Sequence, residues 1–330
     1  ETFDWDYVLT LNSCTSALQL ALHLVKSQEQ VPVLLPPLSC FATTSAVLSN
    51  GMVPRWVDID PATCNMNLED LRAKLTPETK IILLVHFAGL PINYDRLNYI
   101  LDEFQSKHGF KPYVIEDCAQ SLGSLTDNGY TGRSGNICCF SFQAVKFLTT
   151  GDGGAIVLPD KELYDRAKLL RWYGLSREKD ICHQNIVESG FKHHMNDIAA
   201  TIGMCNLRYI FEQELHQQQT MFNFSLRKEF NQTLEIDSYA CGEQCPILVD
   251  DKNAFIARML KCGIEVTPHH YRCDLNGCVK EFRSSLPGMD EVEQKMVLLP
   301  CGWWLTNQQL KYVISCVKGE SKVLWKKEGF

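Results

Sequence analysis

Two kinds of hydrophobic pattern alternate along the chain. Around Leu18 the run A-L-Q-L-A-L-H-L-V carries apolar residues at helical spacing, behind a small polar segment, N-S-C-T-S, of the kind that opens helices. Residues 31–35 form a short apolar run closed by Pro36 and Pro37, which predicts a buried strand, and 39–49 has a helical pattern stopped at Asn50-Gly51. The alternation continues through a strand at 53–59, a helix at 68–75 entered through Asn67, a strand at 80–87, a helix at 94–107 and a strand at 113–116 that runs into Asp117. The unbroken I-I-L-L-V of 81–85 implies burial on both faces. Strands and helices alternating at this spacing predict parallel pairing through right-handed crossovers, hence an α/β fold with a doubly wound, mostly parallel sheet.

A turn-rich stretch, D-N-G-Y-T-G-R-S-G at 127–135, leads into the apolar segment that precedes Lys146. A strand at 155–158 and an amphipathic helix at 161–171 come next. The polar segment 177–192 has no clear period and predicts a loop longer than most connections, a length that often accompanies function. A long helix over 196–215 follows. Beyond it the order changes to a polar helix, a strand at 246–249, a helix at 253–261, a strand at 264–266 and a closing helix at 306–317. This predicts a large domain over 1–215 and a smaller α+β domain over 216–330.

Composition narrows the partners. The 330 residues are 45% hydrophobic and 22% charged, ordinary globular values, and the net charge of −7 argues against nucleic acid or an anionic membrane as the main partner. The fifteen cysteines are odd in number and scattered, several inside apolar runs, as Cys118, Cys139 and Cys205 are; they predict reduced thiols in an intracellular compartment. Cys241 with Cys245 and Cys273 with Cys278 lack the two-residue spacing common in structural zinc sites, so no metal is expected. With neither a signal-peptide pattern nor a membrane-length apolar run, the expectation is a soluble, cytoplasmic protein.

The candidate chemistry gathers around C-F-S-F-Q-A-V-K-F-L-T-T-G-D-G-G at 139–154, where one lysine, Lys146, stands between a strand-like segment and a glycine-rich turn. A lysine whose environment lowers its pKa forms a Schiff base with an aldehyde cofactor or a carbonyl substrate, although most lysines beside such turns are solvated surface groups. The hydroxyl of Ser141 could hold a phosphate on the same cofactor. Thr15 and Ser16 stand at a predicted helix N-terminus, which is either an anion site or a simple cap. Asp117 ends a strand at the carboxyl edge of the sheet, where ligands bind in such folds, and a carboxylate there could keep a ring nitrogen protonated. Phe41, at a strand-to-helix passage, is either core or an aromatic lid over a flat ring.

With these residues placed, the chain resembles the DegT/DnrJ/EryC1/StrS family of sugar aminotransferases, PLP-dependent enzymes of fold type I that act on nucleotide-linked keto sugars. The resemblance runs in register from Leu11 to Val317. It rests on N-S-C-T-S-A-L, V-D-I-D-P-A-T, V-H-F-A-G, I-E-D-C-A-Q-S-L-G, the Lys146 segment and G-F-K-H-H-M-N-D-I-A-A-T-I-G. It implies that Lys146 carries pyridoxal 5'-phosphate as a Schiff base and shuttles protons between sugar and cofactor. Asp117 would pair with the pyridine nitrogen, Gln120 would contact the ring hydroxyl, Thr15, Ser16 and Ser141 would hold the phosphate, and Phe41 would stack on the ring.

The resemblance also implies a homodimer in which Lys192 reaches the partner's cofactor phosphate. L-glutamate would convert the cofactor to its pyridoxamine form, and a nucleotide-linked keto sugar would take the amine. Among substrate contacts, His269, His270 and Tyr271 match a loop that approaches the nucleotide sugar in relatives, with His86 and His194 as further candidates. The leading substrate is a 4-keto-6-deoxyhexose linked to UDP or dTDP, giving a 4-amino-4,6-dideoxy sugar of the viosamine type; a 3-keto sugar or a GDP-linked one leading to perosamine stays open.

Three features depart from the family pattern. Cys14 replaces a glycine before the phosphate-binding threonine, the usual N-terminal segment is mostly absent, and the second domain is compact. Two other readings stand beside amination. Family dehydratases characteristically replace the Schiff-base lysine by histidine, and a catalytically inactive PLP or sugar-nucleotide binder has no need of that lysine.

Overall fold

A computed structural model describes residues 2–28, 30–178, 180–212, 240–302 and 304–319. Its centre is a seven-stranded sheet. The strands are β1 (Val8–Leu11), β2 (Pro32–Leu35), β3 (Val53–Trp56), β4 (Ile81–Val85), β5 (Tyr113–Asp117), β8 (Ile137–Ser141) and β9 (Gly154–Val157), in the order β1-β9-β8-β5-β4-β2-β3. The β3-β2-β4-β5-β8 run is parallel throughout, and β9 pairs antiparallel with both β8 and β1. A short hairpin, β6 (Leu125–Thr126) and β7 (Gly129–Tyr130), fills the turn-rich stretch before β8.

The pleat explains why β4 is apolar without a break. Ile81, Leu83 and Val85 join the core beneath α1 (Cys14–Val25), α2 (Phe41–Ser49) and α5 (Lys161–Leu170), while Ile82 and Leu84 join the core beneath α3 (Leu68–Lys74) and α4 (Tyr94–His108). With helices on both faces, neither set of side chains meets water. On the second face, beside β8 and β9, Phe140, Phe142, Ala155 and Val157 pack with Phe3 and with residues of α6 (Asp197–Glu212).

The C-terminal part contributes to two cores. One is its own, built from β10 (Cys245–Leu248), β11 (Met296–Leu299), α7 (Lys252–Lys261) and α9 (Asn307–Lys318) around Ile247, Met259, Val297 and Val313. The other is the core beneath α1, into which Cys273, Val279 and Leu286 pack with Met289 and Val292 of α8 (Pro287–Lys295). Asp58, of the V-D-I-D segment, fastens this attachment. Its carboxylate accepts from the first-turn N–H groups of α8, Gly288 at 2.7 Å and Met289 at 2.9 Å. The expected domain boundary at 215/216 and the polar helix after it lie outside the described residues.

Three element predictions need correction. Strand β1 was not foreseen, because only Leu9 and Leu11 of its four residues are buried and its neighbour β9 is far along the chain. Residues 264–266 form no strand: Ile264 and Val266 are buried in the C-terminal core, but pairing is limited to a bridge between Thr267 and Leu298. Helix α8 and strand β11 lie between 287 and 299, where no element was predicted.

Candidate functional site

A cavity of about 950 Å³ opens at the carboxyl edge of the sheet. The last residues of β4, β5 and β8, which are Val85, Asp117 and Ser141, all line it. This is where an open parallel sheet leaves a crevice, because the strands end and the crossovers diverge.

The N-terminus of α1 forms one wall. Ser13, not Thr15 or Ser16, is the N-cap: its Oγ accepts from Ser16 N at 3.1 Å and donates to Ser16 Oγ at 3.0 Å. Ser16 is thereby used inside the cap, and the residues facing the cavity are Ser13, Cys14 and Thr15. The N–H groups of Cys14 and Thr15 have no carbonyl within the helix to pair with, so the wall carries positive potential. This placement depends on Gly154: a Cβ there would lie 2.6 Å from Cys14 N, so only glycine lets β9 pass beneath the start of α1.

Asp117 is buried. Its Oδ2 accepts from Thr43 Oγ1 at 2.7 Å and its Oδ1 from Ala119 N at 3.1 Å, and Cys14 Sγ lies 3.9 Å from Oδ1. Burial raises the Asp117 pKa, and the two hydrogen bonds only partly oppose it. Burial and then Asp117 push the Cys14 thiol well up, so it stays neutral and turns toward the carboxylate without crowding the helix terminus. Gln120 lines the cavity with its Oε1 held by Ala88 N at 2.7 Å. Ser141 Oγ accepts from Gln143 N at 3.4 Å.

Lys146 enters from the turn after β8, and its Nζ is ion-paired with Glu243, the two side chains only 13% and 8% exposed. Burial lowers the lysine pKa, but Glu243, with Asp117 behind it, reverses the effect and leaves it raised. The expected environment of lowered pKa is therefore not the one present here. Glu243 was not foreseen: it sits 97 residues from Lys146 in a segment with no motif.

Several predicted contacts fall elsewhere. His86 is fully buried, its Nε2 2.9 Å from Glu116 Oε2 and its Nδ1 accepting from Ile92 N at 3.1 Å, so it cannot reach a ligand in the cavity. Phe41 packs against the core beneath α1, and the cavity wall near it is made by Ser39, Cys40, Ala42 and Thr43. His194 stands edge-on to Trp172 at 4.1 Å, away from the cavity. His269 is buried against Phe87, its pKa pushed down to about 3 by burial and then by His270, while Tyr271 is exposed to solvent. Of that trio only His270 lines the cavity. Lys192, expected to reach a partner's cofactor and not its own, is exposed on the surface outside the cavity.

The donor set suits pyridoxal phosphate: an amine, a buried carboxylate, and a hydroxyl-bearing helix N-terminus facing one cavity of sufficient size. A family model described as the DegT/DnrJ/EryC1/StrS aminotransferase family matches residues 2–318. The structure is similar to that of the sugar aminotransferase CalS13 from Micromonospora echinospora, with TM-score 0.90, 35% identity, and coverage of 96% of this chain and 88% of that one. Among curated proteins, the UDP-4-amino-4,6-dideoxy-N-acetyl-beta-L-altrosamine transaminase of Campylobacter jejuni is 30% identical over 80% of this chain and 71% of its own length. The GDP-perosamine synthase of Escherichia coli O157:H7 is 36% identical over 61% of this chain and 53% of its own.

Proposed function

This chain belongs to the DegT/DnrJ/EryC1/StrS aminotransferase family, and from that footing we propose that it moves an amino group from L-glutamate to a 4-keto-6-deoxyhexose linked to UDP or dTDP. The product would be a 4-amino-4,6-dideoxy sugar such as viosamine. Sugar aminotransferase activity with pyridoxal phosphate, cycling through its pyridoxamine form, comes with the family. The observation that carries the proposal is the meeting of Lys146, Asp117 and the α1 N-terminus around one cavity. Support for a 4-amino, 6-deoxy product comes from the name of the Campylobacter transaminase.

The bound cofactor supplies an electron sink for the charge left on carbon after proton removal, and in its amine form it carries nitrogen from donor to ketone. The chain's residues do the rest. Lys146 would hold the cofactor through its amine and would be the group placed to take and return the proton at the reacting carbon. Asp117, held by Thr43 and Ala119, offers its carboxylate to the ring nitrogen, and a cation there offsets the burial that now raises its pKa. Thr15, Ser141 and the N–H groups of Cys14 and Thr15 would hold the phosphate. Gln120, its oxygen tied to Ala88, has its –NH₂ end left to donate to the ring hydroxyl. His270 is the wall residue nearest in kind to a sugar-nucleotide contact.

A homodimer is part of the proposal. Val145, beside Lys146, is 77% exposed, and Ile198 and Met204 of α6 are 76% and 66% exposed. A second copy would cover these apolar groups and bring its Lys192 to the phosphate. No helix among the described residues is long and apolar enough to cross a membrane, and a cytoplasmic setting is proposed with the substrate. A GDP-linked sugar is the second reading, favoured by the likeness to GDP-perosamine synthase. Incubation with glutamate and a panel of UDP-, dTDP- and GDP-linked 4-keto-6-deoxyhexoses, read by mass spectrometry, separates the two. Conversion of 3-keto sugars alone, added to the same panel, would refute the 4-keto assignment, and loss of oxygen without gain of nitrogen would refute amination itself.

A further inference from the structure

Glu243 is fixed over the cavity by its neighbours. Cys241 N donates to Ser124 Oγ at 3.0 Å, and Cys241 Sγ donates to the Gln120 carbonyl at 3.1 Å. Gly89, at φ +82°, admits this clamp: a Cβ there would stand 2.6 Å from Cys241 Sγ. The loop before β10 is thus pinned to the backbone of a residue that itself lines the cavity, and the Glu243 carboxylate is carried to Lys146 Nζ. An ion pair so placed costs desolvation of both groups, which makes it a poor contributor to stability alone. It does fix where the amine stands and what charge it carries.

We propose that Glu243 is a positioning residue for Lys146, seating its amine over the cavity of the cofactor-free chain and holding it there as an ammonium. The inference rests on Lys146 being the cofactor-bonding amine. In the cofactor-free chain the carboxylate keeps the amine in a set place. Capture of the aldehyde needs the neutral amine, so the same contact slows cofactor uptake near neutral pH.

The charged and titratable groups facing the pair are Asp117 from the end of β5, Cys14 from α1 and Cys241 from the clamp. Cys40, Asp152 and His270 also line the cavity. Burial raises the Cys14 and Cys241 thiols, which keeps them neutral and leaves Asp117 as the second anion acting on Lys146. Without the Glu243 charge, burial of the amine becomes the dominant influence and favours the neutral form.

The test is trace acetylation of the cofactor-free chain with acetic anhydride across neutral to alkaline pH. Peptide mass spectrometry measures labelling of Lys146 relative to the exposed Lys107 and Lys261. Glu243→Gln is expected to raise Lys146 labelling about tenfold or more near neutral pH, the factor that one pKa unit carries, with Glu243→Asp intermediate and the reference lysines unchanged. A Glu243→Gln profile superimposable on that of the wild type overturns the proposal, as does equal labelling of Lys146 in the Asp and Gln variants. Borohydride treatment of the wild type with pyridoxal phosphate, read on the same Lys146 peptide, checks the underlying assignment. Its failure would sink the cofactor reading while the acetylation profiles still decide what Glu243 does.

Discussion

Thr43 Oγ1, in the first turn of α2, donates to Asp117 Oδ2, at the end of β5, at 2.7 Å, and both side chains are buried. One carboxylate oxygen is thereby fixed by a helix on one face of the sheet while the other takes Ala119 N. In the proposed mechanism this orients Asp117 toward a ring nitrogen. Thr43→Val removes the donor while keeping the shape. Hydrogen bonds to charged groups contribute roughly 1.5–3 kcal/mol, so turnover should fall about ten- to a hundredfold while borohydride still traps cofactor on Lys146. Unchanged turnover would remove Thr43 from the account.

Glu116 sits directly before Asp117 but does a different task. Burial alone would raise its pKa; His86, then Asn136 and Ser134, bring it down to about 2. A carboxylate with a depressed folded pKa stabilises above its unfolded pKa and loses that contribution as pH falls. Stability should therefore decline as pH drops from about 5 toward 2, by on the order of 3 kcal/mol from this group. Glu116→Gln should lower stability at neutral pH and flatten the acid limb of a urea-denaturation series. An unaltered acid limb would contradict the assignment.

Asp58 holds two N–H groups of α8 through one carboxylate. Asp58→Ala takes the acceptor from a helix N-terminus and leaves the half-buried Gly288 N–H and the buried Met289 N–H without it, at a cost of about 2 kcal/mol in urea denaturation. Asp58→Asn, with one acceptor oxygen remaining, should cost less.

Cys14 replaces a glycine of the family pattern, and its thiol turns toward Asp117 at the wall of the cavity proposed to hold the phosphate. Cys14→Ala should leave cofactor affinity within about threefold of wild type, since no phosphate donor is lost. Cys14→Gly should keep affinity but lower stability by about 0.5–1 kcal/mol through chain entropy. Affinity falling sharply in the alanine variant would mean that the thiol itself holds the ligand.

The exposed apolar residues of α6 bear on assembly. Ile198→Asp should break the proposed dimer into monomers in light scattering and lower activity along with it. A variant that stays dimeric and fully active would place the interface elsewhere.

Much of the sheet could be read from local pattern, for a physical reason. Residues 81–85 are apolar on both faces, which in a chain of alternating helices fixes a central parallel strand, and Asp117 and Ser141 then follow as strand ends. Lys146 stood out through the motif around it and the family resemblance, since most lysines beside a glycine-rich turn are solvated surface groups. Local pattern could not show Glu243 meeting Lys146, since that contact depends on how a distant loop is clamped by Gly89, Gln120 and Ser124. Nor could it show His86 sealed behind the cavity, because a histidine at a strand end looks the same whether it faces ligand or Glu116. Ile264 and Val266 have the composition of a strand and the burial of one, but no ladder partner.

The central claim is that Lys146 bonds the cofactor and that L-glutamate discharges it. The most direct measurement is the visible absorption of the full chain with pyridoxal phosphate, before and after glutamate, for the wild type and Lys146→Ala. The account predicts an absorption band of lysine-bound cofactor in the wild type, bleached by glutamate and restored by an accepted keto sugar, with no such band in the variant. A wild type that forms no band, or a variant that forms the same one, would contradict the assignment of Lys146. A band that glutamate leaves untouched would contradict the proposed donor.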